Sequence, residues 1–121
     1  MAATSFAPNS LSCAAARGFV ADRLRAWGAE KVIEDAVLLT SELVTNVIRH
    51  AHTNIAMAVS VIEGQVRVAV GDDSVEPPTQ HEELSPSDPG GRGLWLVDAI
   101  STSWGAEAAE DGKAVWFALA A

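Results

Sequence analysis

The chain has 121 residues, 49% of them hydrophobic, and its 16 acidic against 8 basic residues leave a net charge of −8. A chain of this length buries roughly two-thirds of the surface it exposes when unfolded, enough for one hydrophobic core without metal or disulfide staples. The acidic excess repels phosphate backbones and argues against nucleic acid as a direct partner, yet it leaves room for a single nucleotide, which needs only a local cluster of N–H groups and a cation.

Met1 to Pro8 lacks the basic start and apolar run of a signal peptide, and no segment approaches the roughly 18 apolar residues of a membrane span, so a cytoplasmic protein is expected. From Ser10 to Trp27 apolar residues recur at helical spacing, namely Leu11, Ala15, Phe19, Leu24 and Trp27. Asp22, Arg23 and Arg25 are left for solvent, and Gly28 is a stop signal. Cys13, the single cysteine, falls in this stretch and reads as a buried thiol. A second helix is predicted from Glu30 to about His50, with Val32, Ile33, Val37, Leu39, Leu43, Val44, Val47 and Ile48 as its apolar stripe.

Beyond Thr53-Asn54 the period changes from helical to alternating. Ile55 to Ile62 and Gln65 to Val70 are rich in β-branched residues and flank Glu63-Gly64, which predicts a hairpin. The segment from Ser74 to Pro89 is acidic and Pro-rich, and predicts a long loop. Gly90-Gly91-Arg92-Gly93 then reads as a turn that opens a short helix, Leu94 to Ile100. Strands around Ser103 to Ala108 and Lys113 to Leu119, turning at Asp111-Gly112, close the order. Helices segregated from hairpin-linked strands indicate an α+β fold with one core.

Three places carry candidate chemistry. Glu42, Asn46 and His50 are four residues apart, so successive members are offset by about 40° around the helix and about 6 Å along it. They form a polar ridge beside Leu39, Leu43 and Val47, at the boundary of the core. Asp72 follows a strand, where a carboxylate can accept a hydrogen bond from a ligand amino group. The glycine run before a helix is a plausible anion cradle, since glycine lets backbone N–H groups approach phosphate and the helix N-terminus favours negative charge. Taken singly, each has a structural explanation: a solvated helix edge, turn chemistry at Asp72-Asp73-Ser74, a flexible glycine turn. His50 can simply cap carbonyls or pack, and His50, His52 and His81 lack a fourth partner that would complete a zinc site.

Their order along one chain resembles something specific. Glu42-Leu-Val-Thr-Asn46-Val-Ile-Arg-His50 resembles the N-box of the GHKL ATPase superfamily, named for gyrase, the heat-shock chaperone, histidine kinases and a mismatch-repair protein. Val66-Arg-Val-Ala-Val-Gly-Asp72 resembles the strand and aspartate of its G1 box, and Gly90-Gly-Arg-Gly93-Leu-Trp-Leu-Val97 resembles its G2 box. The likeness spans nearly the whole chain and is closest to the lone ATP-binding domains of anti-sigma factor serine/threonine kinases, which lack the phospho-acceptor helices of a full histidine kinase. One departure is plain: the G1 box usually continues Asp-x-Gly-x-Gly, whereas here Asp73-Ser74-Val75-Glu76 follow Asp72.

The resemblance implies a two-layer α/β sandwich of the Bergerat type, residues 1–121 as one domain, with a mixed, mostly antiparallel sheet and helices on one face. It implies ATP and Mg²⁺ as cofactors, with Asn46 ligating the metal and Glu42 acting as general base or orienting the attacking hydroxyl. Asp72 would bind the adenine amino group, Gly91, Gly93 and Leu94 would belong to the phosphate cradle, and Arg92 would add positive charge. Residues 74–89 would be the ATP lid. The implied partners are a sigma factor and a small antagonist protein, with a homodimer allowed.

Overall fold

The computed structural model describes residues 1–50, 53–72, 89–109 and 112–121. Along the chain lie strand β1 (Ala2–Phe6), helix α1 (Leu11–Ala26), a short 3-10 turn (Glu30–Val32) and helix α2 (Ile33–His50). Strands β2 (Ile55–Ile62) and β3 (Gln65–Asp72), helix α3 (Pro89–Ile100), and strands β4 (Ser103–Ala109) and β5 (Gly112–Ala120) follow. The strands form one sheet in the order β1-β2-β3-β5-β4. All four pairings are antiparallel where the resemblance implies a mixed, mostly antiparallel sheet.

Local chemistry explains the boundaries. α1 begins where Asn9 Oδ1 accepts the Leu11 N–H at 3.0 Å, satisfying one of the donors a helix start leaves unpaired. It ends at Gly28, whose φ of 75° only glycine adopts without strain. Around it the Trp27 N–H donates to Arg23 O and the Ala29 N–H to Leu24 O, closing the helix. The β2–β3 hairpin turns at Glu63 (φ 53°) and Gly64 (φ 76°), both left-handed, as a two-residue loop matched to strand twist requires.

The helices α1, α2 and α3 cover one face of the sheet. The core gathers Val20 and Leu24 of α1, Leu39 and Val44 of α2, Val97 of α3, and the alternate strand residues Ile55, Val59, Val66, Val68 and Phe117. The two-layer architecture implied by the resemblance is therefore the observed one.

Three expectations are corrected. β1 lies in a segment read from sequence only as lacking a signal peptide; it pairs from Ala2 opposite Val59 to Phe6 opposite Ile55. The inward face of α1 is rotated from the predicted one. Ser12, Ala16, Val20, Ala21 and Leu24 are buried, whereas Leu11, Ala15 and Trp27 are exposed. An alanine-rich helix offers little contrast between its sides, so bulky Leu11 and Trp27 mislead. Finally, α3 starts at Pro89, so Gly90 to Gly93 lie within it and are not a turn ahead of it. Proline at a helix start gives up no intrahelical bond and presets φ.

Candidate functional site

The site is built around α2. This helix packs against α1 on one side and against both α3 and the central strand β3 on the other. Two contacts fix its rotation: Arg17 donates to Ser41 Oγ at 3.3 Å, and Cys13 Sγ lies 3.4 Å from Thr45 Oγ1. With Ser41 and Thr45 turned to α1, Glu42 and Asn46 fall further round the helix, on the side of Leu39 and Leu43. Both are half-buried, at the core boundary as the ridge predicts. The buried row of Ala36, Leu39, Leu43, Val44 and Val47 presses α2 onto the sheet and holds that ridge in place.

Asp72 ends β3, the middle strand. Period-two alternation carries Val66, Val68, Val70 and Asp72 on the same face, the one covered by helices. Its carboxylate is thus set into the continuation of the core, with 8% of the residue exposed. A charge is rarely buried to that degree without a partner, and both Asp72 and Glu42 do take part in an interaction within the chain.

One residue here was not singled out from sequence. Lys113 of β5 is the cross-strand partner of Asp72, and directly opposed residues of an antiparallel pair share a face. Lys113 therefore leaves the sheet on the same helix-covered face as Asp72, and it is half-buried. The signal was the hairpin at Asp111-Gly112, but only the β3–β5 pairing register shows which residue of β5 meets Asp72.

The third piece is α3. Leu94 and Val97 are buried in the core and anchor the helix, while Trp104 Nε1 of β4 donates to Asp98 Oδ1 at 2.8 Å and ties the helix to the sheet edge. The backbone of Gly90, Gly91 and Arg92 follows Pro89 in the first turn, where orphan N–H groups attract anions, whereas Gly93 and Leu94, expected in the same cradle, lie past that turn and direct their N–H groups along the helix; the Arg92 side chain lies outside the described residues. So do the His50 side chain, His52, His81 and residues 73–88, which include nearly all of the expected lid.

The oxygen donors of Asn46 and Glu42, one turn apart on a rigid helix, suit a hard cation such as Mg²⁺, which takes oxygen ligands and keeps several waters. A buried carboxylate on the same face suits a ligand amino group. The first turn of α3 suits phosphate. The donor chemistry thus fits a magnesium nucleotide.

Residues 6–119 match the histidine kinase-like ATPase domain, and the chain belongs to that family. Domains of this family bind ATP with Mg²⁺. Among solved structures, the chain is similar to the histidine kinase domain from Erythrobacter litoralis EL346 blue-light activated histidine kinase, with 24% identity and a TM-score of 0.57. That likeness covers 75% of this chain and 45% of the other, so it establishes the shared fold across less than half of the larger chain. No curated protein matches the sequence significantly. Among the described residues no helix is long and apolar enough to cross a membrane.

Proposed function

We propose that this chain is an ATP-binding regulator of the anti-sigma type, a serine/threonine kinase that modifies a small antagonist protein and otherwise sequesters a sigma factor. The observation that carries this reading is the arrangement around α2: Glu42 and Asn46 on its ridge, the buried Asp72 at the end of β3, and the glycine turn of α3, on elements that pack together.

In this reading Asp72 accepts a hydrogen bond from the adenine amino group, and the N–H groups of the first turn of α3, that of Gly91 among them, hold the phosphates with Arg92 adding charge. Gly93 and Leu94, whose own N–H groups serve the helix, shape the cradle. Asn46 supplies an oxygen to Mg²⁺. The metal would neutralise charge on the phosphates, as in other phosphoryl transfers. Glu42, at the same helix ridge, takes the proton from the attacking serine or threonine hydroxyl as its oxygen bonds to the terminal phosphorus and ADP leaves. Positioning supplies most of the acceleration in such chemistry.

Incubation with Mg-ATP and the cognate antagonist should give phosphoserine or phosphothreonine, and Glu42→Ala should reduce transfer about a hundredfold or more while leaving ATP bound. Absence of transfer by the wild type, or undiminished transfer by the variant, defeats the catalytic role.

A second reading is favoured by Asp73-Ser74-Val75-Glu76, which replaces the glycines of the usual G1 box. In it the chain is a binding module that keeps the fold and partner surface without kinase activity. Trp95 is 41% exposed, one position after Leu94, so its fluorescence reports on the start of α3. A saturable change on titrating Mg-ATP supports the nucleotide site; no response at millimolar ATP selects the second reading.

A further inference from the structure

Two apolar rows run side by side on the helix-covered face, and both end in a charge at the same level. On β3 the row is Val66, Val68, Val70 and then Asp72; on β5 it is Leu119, Phe117, Val115 and then Lys113. Each member stands opposite its counterpart, so Asp72 and Lys113 are the last pair of the ladder. Gly71 secures that level. A Cβ there would lie 3.2 Å from the Lys113 carbonyl oxygen, so the missing side chain lets the two backbones approach closely at this end. Lysine is also scarce in this chain. There are two, and the other, Lys31, is exposed, whereas Lys113 is half-buried on an interior strand in a row that is otherwise apolar.

We infer, on the reading of Asp72 as acceptor for the adenine amino group, that Lys113 is a second base-specifying residue, donating from its ammonium to adenine N1. N1 is bonded to the carbon that carries the amino group, so this edge of the base presents a donor next to an acceptor. A carboxylate only accepts and an ammonium only donates, so Asp72 and Lys113 offer the complementary order. Directly opposed residues have Cβ atoms about 4.5–5.5 Å apart, and the flexible four-carbon stem of lysine gives it the longer reach. The two groups therefore serve one base edge from adjacent strands. Hypoxanthine, with an acceptor in place of the amino group and a donor at N1, reverses both contacts in the same pose.

A structural ion pair with Asp72 is the competing role for Lys113, and it forecasts something different. Such a pair steadies the end of the ladder whichever base is bound. A lysine that reads the base distinguishes two ligands that differ in one ring atom.

Calorimetric titration of the full chain with ATP, 1-deaza-ATP and purine riboside triphosphate, each with Mg²⁺, separates these roles. The first analogue replaces N1 by C–H, and the second lacks the amino group. The wild type should bind 1-deaza-ATP about tenfold or more weakly than ATP, as expected for loss of a hydrogen bond to a charged group. Lys113→Met keeps an apolar stem and removes the ammonium. It should bind ATP about tenfold or more weakly than the wild type and no longer prefer ATP to 1-deaza-ATP. Its discrimination against purine riboside triphosphate should persist, because Asp72 makes that contact. Circular dichroism would establish that the variant is folded, and Lys113→Ala, read in the same way, replaces it if it is not. Failure to bind ATP, or binding indifferent to the amino group, defeats the reading of Asp72 and the role of Lys113 with it. Where the amino group is read, equal binding of ATP and 1-deaza-ATP by the wild type, or a preference that survives Lys113→Met, overturns the role of Lys113 alone.

Discussion

The two faces of the central strands obey opposite rules, and each breaks its rule in one place. On the helix-covered face, Val66, Val68 and Val70 of β3 and Phe117 and Leu119 of β5 are buried and apolar, until Asp72 puts a carboxylate at the end of the row. On the open face small residues prevail, until Trp116 and Arg67 stand above them. Departures from the local rule are where function is to be sought, because a fold alone would not select them. The covered face shows the contrast within one strand: three valines that any core would accept, then an aspartate that it would not.

That contrast makes the largest predicted effects separable. Phe117 is fully buried beneath the helices, and Phe117→Ala should cost about 3–5 kcal/mol of stability by leaving a cavity, read as a lower midpoint in urea unfolding. Asp72→Asn keeps size and shape but removes the charge. A hydrogen bond to a charged group is worth about 1.5–3 kcal/mol, so affinity for ATP should fall roughly tenfold to hundredfold by calorimetry. If Asp72→Asn binds ATP as the wild type does, the aspartate is not the base-reading group and its break in the valine row needs another cause.

Two smaller effects probe whether the packing on either side of the sheet is as described. Gly105→Val on the open face would drive a side chain into Trp116, whose Cε2 and Cζ2 lie 3.0 Å from an added Cβ. Overpacking of this kind costs about 1–3 kcal/mol, and the displaced indole should change the tryptophan emission. On the covered side, Thr40 of α2 is fully buried and its Oγ1 has no hydrogen-bond partner among the described residues. Thr40→Val removes the unpaired hydroxyl at nearly constant volume and should add about 1 kcal/mol. A higher melting temperature is expected, and a lower one would mean that the hydroxyl is bonded.

Much of this was legible in the sequence where side chains differ strongly between faces. α2 was, because Leu39, Leu43, Val44 and Val47 contrast with Glu34, Asp35, Glu42 and Arg49. β2 and β3 were, because alternation and the Glu63-Gly64 turn agree. α1 was found but turned wrongly, since Ala14, Ala15 and Ala16 fit either side of a helix and the polar Ser12 is on the buried side. β1 was missed: five residues at a sheet edge leave too short a pattern. The glycines of α3 were read as a turn ahead of the helix because glycine disfavours helix by about 1 kcal/mol per residue. Glu42, Asn46 and Asp72 were visible as candidates; Lys113 was not, because its relation to Asp72 exists only in the strand register.

The smallest predicted effect tests the hairpin that aligns the two faces. Glu63 adopts φ 53° at the first position of its turn, a region where residues other than glycine, asparagine and aspartate are strained. Its carboxylate is exposed, so nothing in the core requires glutamate there. Asparagine tolerates the left-handed region and Asn-Gly is the preferred pair in this turn type. Glu63→Asn should therefore stabilise the fold by a few tenths of a kcal/mol, up to about 1 kcal/mol, measured as a raised urea midpoint with an unchanged slope. The turn fixes Ile62 opposite Gln65 and, through the same register, Ala56 opposite Gly71. A one-residue slip would move Asp72 to the open face and Arg67 to the covered one. A stabilised turn that leaves ATP binding unaltered would show that the register is already secured by packing, with the turn only assisting. Tighter binding would show instead that slippage at the Asp72 end limits the site.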